Sequence, residues 1–215
     1  MTATIDDEAA LRAVYDHPKK LVADAHAGRL DDLCCRFIAL SPMVIVASHK
    51  AHGEIDISPR GGPPGFVLAV DDTTLAIPDR AGNNKVETLT NLTHDPSVGL
   101  MFVIPGIDEM LRLRGRAAIS TDPQLLSRLA EDGAPPKTAI VVTVDRVYPH
   151  CGKAFKRARL WDPESRRERK RDRVPSLGEI AIAMARPEGV DAAKLDGAVS
   201  AEYAAIDAAA QKDRP

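Results

Sequence analysis

The spacing of apolar residues changes near position 42. Before it the spacing is helical: Leu21, Val22, Leu30, Leu33, Phe37 and Ile38 fall within 20–40, broken near Gly28, and Asp6-Asp7-Glu8 opens a shorter helix upstream. From Pro42 the period shortens towards two. Residues 43–47, 54–58, 66–70 and 74–77 read as short strands, separated by His52-Gly53, by Pro59-Arg60-Gly61-Gly62-Pro63-Pro64-Gly65 and by Asp71-Asp72. Longer strands are predicted over 98–104, 110–120 and 138–148. In the second, Leu111 and Leu113 alternate with Arg112, Arg114 and Arg116; the third runs through Ile140, Val142, Val144 and Val147. A helix is predicted over 83–94, stopped by Asp95-Pro96, and another after Asp122-Pro123, with proline at its first position. The last portion reads as polar helix, ending in an Ala-rich tail over 191–212 with little to bury. No internal repeat is visible.

Strands about 8 to 12 residues apart, with helices inserted in only two places, suit an antiparallel barrel better than a parallel βαβ sheet. The expected fold is therefore α+β, a six- or seven-stranded antiparallel barrel with flanking helices. The expected division is an N-terminal helical segment packed on the barrel (1–40), the barrel itself (41–165) and a polar C-terminal helical extension (166–215).

Composition narrows the function classes. The chain has 215 residues, 29 Lys/Arg against 31 Asp/Glu, for a net charge of −2. The stretch 153–173 carries a local +6, leaving −8 elsewhere. A uniformly basic nucleic-acid binder is excluded, whereas a local anion site is not. No apolar run approaches the roughly 18 residues that span a bilayer, and, with Asp6-Asp7-Glu8 near its start, no signal peptide is expected. Three cysteines, Cys34, Cys35 and Cys151, form neither a disulfide framework nor a CxxC pair. The expected setting is the cytoplasm, with neither membrane nor nucleic acid as partner. His49 and His52, near Glu54 and Asp56, read as a surface turn, and no metal is expected.

Three segments carry candidate chemistry. In 75–92 a strand runs into a turn built on Pro78 and Gly82, and a helix start is predicted at Asn83 or Asn84. Asn84 and Glu87 have the spacing of a capping box. Free helix N–H groups with Arg80 and Lys85 would suit a phosphate; the same residues also read as an ordinary capped helix with two solvated cations. In 54–60, alternation places Ile55 and Ile57 on one face and Asp56 and Ser58 on the other, with Pro59 expected to end the ladder. In 150–163 the only tryptophan, Trp161, follows a cationic helix containing Lys153 and Arg157. It could cover a ligand's aromatic plane or simply pack, with the cations in water. The further run 166–173 reads as solvated charge.

Together, Ile57-Ser58-Pro59-Arg60-Gly61, Ile77-Pro78-Asp79-Arg80 with Gly82-Asn83-Asn84-Lys85, and the run from Phe102 to Gly106 resemble the pyridoxamine 5′-phosphate oxidase-like family of FMN-binding split β-barrels. Leu111-Arg112 with Gly115-Arg116, and Cys151-Gly152-Lys153 with Leu160-Trp161-Asp162-Pro163, complete the likeness. It covers about residues 35 to 165 and is similar to the family's probable FMN-dependent enzymes. The resemblance implies a homodimer holding FMN at the subunit interface. Arg80, Asn84 and Lys85, assisted by Asn83, would hold the phosphate. Ile57, Ser58 and Arg60, with Ile77 and Pro78, would lie along the isoalloxazine. Arg112 of the partner would meet its polar edge, and Lys153, Arg157 and Trp161 would line the substrate pocket.

The implied activity is hydride transfer between a small anionic substrate and flavin N5, with no catalytic residue assigned. The alternatives are a non-catalytic flavin-binding store, sensor or carrier, and a relative using haem or a deazaflavin. Two departures stand out. The Arg/His-bearing C-terminal strand that grips pyridoxal phosphate in the oxidases proper has no counterpart here, so true pyridoxamine-phosphate oxidation is not expected. Asn84-Lys85 replaces the family's frequent Arg-Lys pair, with Arg80 as the substitute.

Overall fold

The computed structural model describes residues 4–50, 53–80, 82–168 and 174–212, with backbone alone at 166–168 and 209–212. The chain divides into two compact units, Met1–Ala158 and Arg159–Pro215.

The first unit opens with three short helices: α1 (Glu8–Arg12), α2 (Lys20–Asp24) and α3 (Asp32–Leu40). Asp7 caps α1 and Asp31 caps α3, each accepting a backbone N–H of the first turn. Between α2 and α3, Ala27 pairs with Val147 and Leu30 reaches the core, as does Ile38 of α3. Seven strands follow: β1 (Met43–His49), β2 (Ile55–Gly61), β3 (Leu68–Ala69), β4 (Thr74–Asp79), β5 (Ser97–Val103), β6 (Met110–Ser120) and β7 (Thr138–His150). α4 (Glu87–His94) lies between β4 and β5, α5 (Pro123–Arg128) between β6 and β7, and α6 (Lys153–Ala158) closes the unit. The strands form one antiparallel sheet in the order β2-β1-β5-β6-β7-β4-β3. It curls around Val44, Val46, Leu75, Ile77, Leu100, Phe102, Leu113, Ile140 and Val142, all buried. This is the expected α+β split barrel, with seven strands.

Three expectations are corrected. Pro59 does not end the ladder of β2, which continues to Gly61 with Pro59 opposite Ile45. Lys50 N–H donates to Glu54 O (2.7 Å) and Gly62 N–H to Pro42 O (3.1 Å), so the hydrogen-bonded pairs between β1 and β2 fall at even positions. Pro59 therefore occupies a non-bonded site on an edge strand, where its missing N–H costs nothing. The capping box at Asn84 does not form either. α4 starts at Glu87, and its N-cap is Val86, in left-handed conformation (φ 47°) and without a side-chain cap bond. The run predicted over 66–70 keeps only two strand residues, in β3.

β7 carries one residue more than β6 between the pairs Arg114–Arg146 and Gly115–Val144. At this bulge the chains come so close that a Cβ on Gly115 would lie 2.0 Å from Thr143 O; only glycine fits.

The second unit comprises α7 (Pro163–Glu168), α8 (Leu177–Ala185) and α9 (Ala192–Lys212). Ser176 and Glu179 make a reciprocal capping box at α8. α8 packs on α9, and Gly178 N–H donates to Asp196 Oδ1 at 2.7 Å. Residues 169–173 of the basic run, and His52, lie outside the described residues. Among the described residues no helix is long and apolar enough to cross a membrane, and no cluster of three metal-ligating side chains occurs.

Candidate functional site

The ends of β2 and β4 are brought together although they stand far apart in the sheet order. On β2 the inward residues are polar: Asp56, Ser58 and Arg60 are half-buried, while Ile55 and Ile57 are 65% and 67% exposed on the outer face. Arg60 Nη1 donates to Ser58 Oγ and to Pro59 O, and Arg60 Nη2 lies 3.8 Å from Asp79 Oδ1 at the end of β4. This orientation inverts the usual apolar-in pattern and leaves polar groups at one margin of the barrel.

Arg80, next along the chain, turns to the loop after α5. Its Nη2 makes an ion pair with Glu131 Oε2 (3.0 Å) and donates to Leu129 O (3.3 Å), while its buried Nε has no partner. Asn83, Asn84 and Lys85 then form a tight turn. Asn83 Oδ1 accepts Lys85 N–H at 3.0 Å, and Asn84 (φ 57°) and Val86 (φ 47°) are both left-handed. Left-handed backbone in a β-branched residue is strained. Lys85 is exposed and has no ion pair among the described residues, and α4 begins without a capping side chain, which leaves first-turn N–H groups to meet an acceptor.

α4 is seated by a polar pair of contacts that sequence reasoning missed. Thr88 Oγ1 donates to Asp56 Oδ2 (3.1 Å), and buried Asn91 Nδ2 donates to buried Ser48 Oγ (2.9 Å). These hydrogen bonds fix the helix, and hence the 82–86 turn, against β1 and β2. The sequence signal was available, since Thr88 and Asn91 interrupt the apolar face of a core helix.

The remaining candidates fall at other places. Ile77 and Pro78 are fully buried in the core, so only their backbone remains for a ligand. Arg112 lies on the outer face in a cross-strand row, Pro59–Ile45–Met101–Arg112–Tyr148. Its guanidinium stacks 4.6 Å over the Tyr148 ring, and its buried Nε has no partner. Burial, reinforced by the Arg112 charge, holds His150 below the ordinary imidazole value. Ile57 shares this outer face, whereas Ser58 and Arg60 point inward, so the strand separates them.

Lys153 and Arg157 are exposed on α6, whose start is held against the β5–β6 loop. Lys156 Nζ meets Asp108 Oδ2 at 2.6 Å, and a Cβ on Gly152 would lie 2.4 Å from Asp108 Cβ. Trp161 belongs to the second unit and is half-buried. Of the thiols, burial pushes Cys34 up to about 11, with the nearby Asp31 carboxylate adding to the shift, so it stays protonated and inert.

An anion fits this chemistry. The margin offers an unpaired lysine, uncapped helix N–H groups and an orphaned buried guanidinium N–H at Arg80, and the outer face offers a second one at Arg112.

The chain is similar to several solved structures. The HupZ protein of Group A Streptococcus has 19% identity and a TM-score of 0.45 over 55% of this chain and 91% of that chain. An FMN-binding protein from Syntrophomonas wolfei has 15% identity and a TM-score of 0.41 over 60% and 86%. An F420 reductase has 17% identity and a TM-score of 0.36 over 53% and 93%. No curated protein matches the chain. The pyridoxamine 5′-phosphate oxidase family model matches residues 30–151, from the start of the core through the last strand, and the chain belongs to that family.

Proposed function

We propose that the chain binds FMN and acts as an FMN-dependent oxidoreductase on a small anionic substrate. The observation that carries the reading is the 82–86 turn. It combines an unpaired Lys85, an Asn83 side chain already folded onto the turn, and an uncapped helix start fastened to the barrel by Thr88–Asp56 and Asn91–Ser48. A phosphate there would receive the Lys85 charge and backbone N–H bonds without rearrangement of the helix. Asn83 and Asn84 would line the phosphate. Arg80, held by Glu131, would supply charge nearby and has its Nε still to satisfy.

In this reading Ser58, Arg60 and the backbone of Ile77-Pro78 flank the flavin ring. Arg112 reaches the ring of a partner subunit across the outer sheet face. Exposed Ile55 and Ile57, with Pro59, give that face the apolar area that a second copy would cover. Bound flavin supplies the hydride acceptor at N5. The chain's own part is binding and orientation, with the Arg112 fork donating hydrogen bonds to the ring's polar edge. Lys153 and Arg157 on α6 would attract an anionic substrate.

The test is spectroscopic. Purified protein incubated with FMN and desalted should keep flavin absorption, and light scattering should give a mass of two chains. Anaerobic bleaching by NADH or NADPH, reversed by a small-molecule oxidant, identifies an enzyme. A flavin that binds but never turns over identifies a carrier. A colourless protein after FMN incubation overturns the reading.

A further inference from the structure

The outer face of the sheet is chemically divided. Over β2, β1 and β5 it presents Ile57, Pro59, Ala47, Ile45, Gly99 and Met101, whereas over β6 and β7 it presents Arg112, Arg114, Arg116 and Arg146, with one carboxylate, Asp145, exposed in the bulge beside Arg146. Arg114 and Arg146 stand directly opposite each other in register, which places their Cβ atoms about 5 Å apart. Two like charges directly opposed on adjacent strands are destabilising, and neither arginine has an ion-pair partner among the described residues. Elsewhere Arg29 meets Asp72, Arg60 meets Asp79 and Arg80 meets Glu131, whereas Arg112, on this same face, stacks on Tyr148 and also has no ion pair among the described residues. On the strand-ward side of Arg114 the row continues into Gly99 and Ala47, which carry little or no side chain to screen the guanidinium.

We propose that Arg114 and Arg146 form a docking site for a phosphate dianion of a small molecule, separate from the 82–86 turn and next to Arg112 on the same sheet face. A single carboxylate neutralises one of two opposed guanidinium groups. A phosphate carries two charges and three oxygens, enough for a bidentate contact from each fork. The ligand class is thus a phosphorylated small molecule. If Arg112 meets the flavin as proposed above, this group would be the anionic end of the substrate or electron donor. That last step rests on the flavin reading; the anion site itself does not.

The test is calorimetric titration with inorganic phosphate, at a pH where it is doubly charged, with acetate as the singly charged comparison. Lys85→Ala protein serves as the reference, so that binding at the 82–86 turn is weakened, and Arg114→Gln/Arg146→Gln is introduced into it. Saturable phosphate binding in the reference, weakened tenfold or more by the double change and not reproduced by acetate, is the expected result. Equal phosphate affinity with and without the two arginines, no saturable phosphate binding in the reference, or acetate bound as tightly overturns the proposal. Removing opposed like charges should leave the thermal midpoint no lower, so loss of fold will not mimic loss of the site. FMN titration of Arg114→Gln/Arg146→Gln in the otherwise unchanged chain separates the two readings: FMN affinity within twofold is expected. Absence of FMN uptake by the unchanged protein defeats the flavin reading and leaves the phosphate result standing.

Discussion

Arg60 on β2 and Asp79 on β4 form an ion pair, 3.8 Å from Nη2 to Oδ1, across the gap where the curled sheet fails to close. No backbone ladder joins these two strands; five strand boundaries separate them in the sheet order. Both side chains are mostly shielded, and Arg60 is further held by Ser58. The pair therefore ties together the two margins of the barrel beside the 82–86 turn.

Replacing Arg60 by Gln and Asp79 by Asn, singly and together, should reveal a coupling of about 1 kcal/mol in a double-mutant cycle. Denaturant unfolding measures it, and additive effects would show that the margins hold without the pair.

The bulge between β6 and β7 makes a stronger claim on stability. Gly115→Ala would place a methyl group 2.0 Å from Thr143 O, against backbone that has no room to retreat. A loss of about 2–4 kcal/mol is expected in chemical denaturation. A change within about 0.5 kcal/mol would mean that the bulge is open rather than packed.

His150 gives a pH signature. Its folded value is depressed by burial first and by the Arg112 charge second. The unfolded chain thus takes up the proton more readily than the folded one. The corresponding stability is fully present above the ordinary imidazole value of about 6.5 and is lost as pH falls through the folded value. An NMR titration of His150 should give a midpoint below about 6.5, and Arg112→Gln should raise it without restoring the ordinary value. A midpoint unmoved by that change would separate the two side chains.

Much of the fold was legible wherever the local signal also matched the tertiary need. Alternation over Met110–Ser120 marked β6 at both ends, and Asp122-Pro123 marked the start of α5. What was lost depended on partners far along the chain. Whether Pro59 breaks β2 is decided by its register against Ile45, which no local pattern contains. Ile55 and Ile57 alternate correctly, yet which face points outward is set by the barrel's closure. The start of α4 lies three or four residues later than expected because Asn83 spends its side chain on Lys85 N–H, and no cap forms at Asn84.

The candidate site was legible as a set of residue types and not as a geometry. Arg80 and Lys85 read as two free cations, but Glu131, fifty-one positions from Arg80, takes one of them, and only Lys85 stays unpaired. Arg112 was visible through its alternation; the Tyr148 ring beneath it depends on the pairing of β6 with β7. Ile77 and Pro78, read as facing a ligand, are core residues because β4 is covered on both faces.

The central claim is that the 82–86 turn holds the phosphate of FMN, and calorimetric titration of FMN into the unchanged protein and into Lys85→Ala tests it most directly. Loss of one charge-assisted contact should cost about 1.5–3 kcal/mol, or roughly 10- to 150-fold in affinity. Saturable binding by the unchanged protein with that weakening is the predicted result; equal affinity in the two proteins, or no binding in either, would contradict the account.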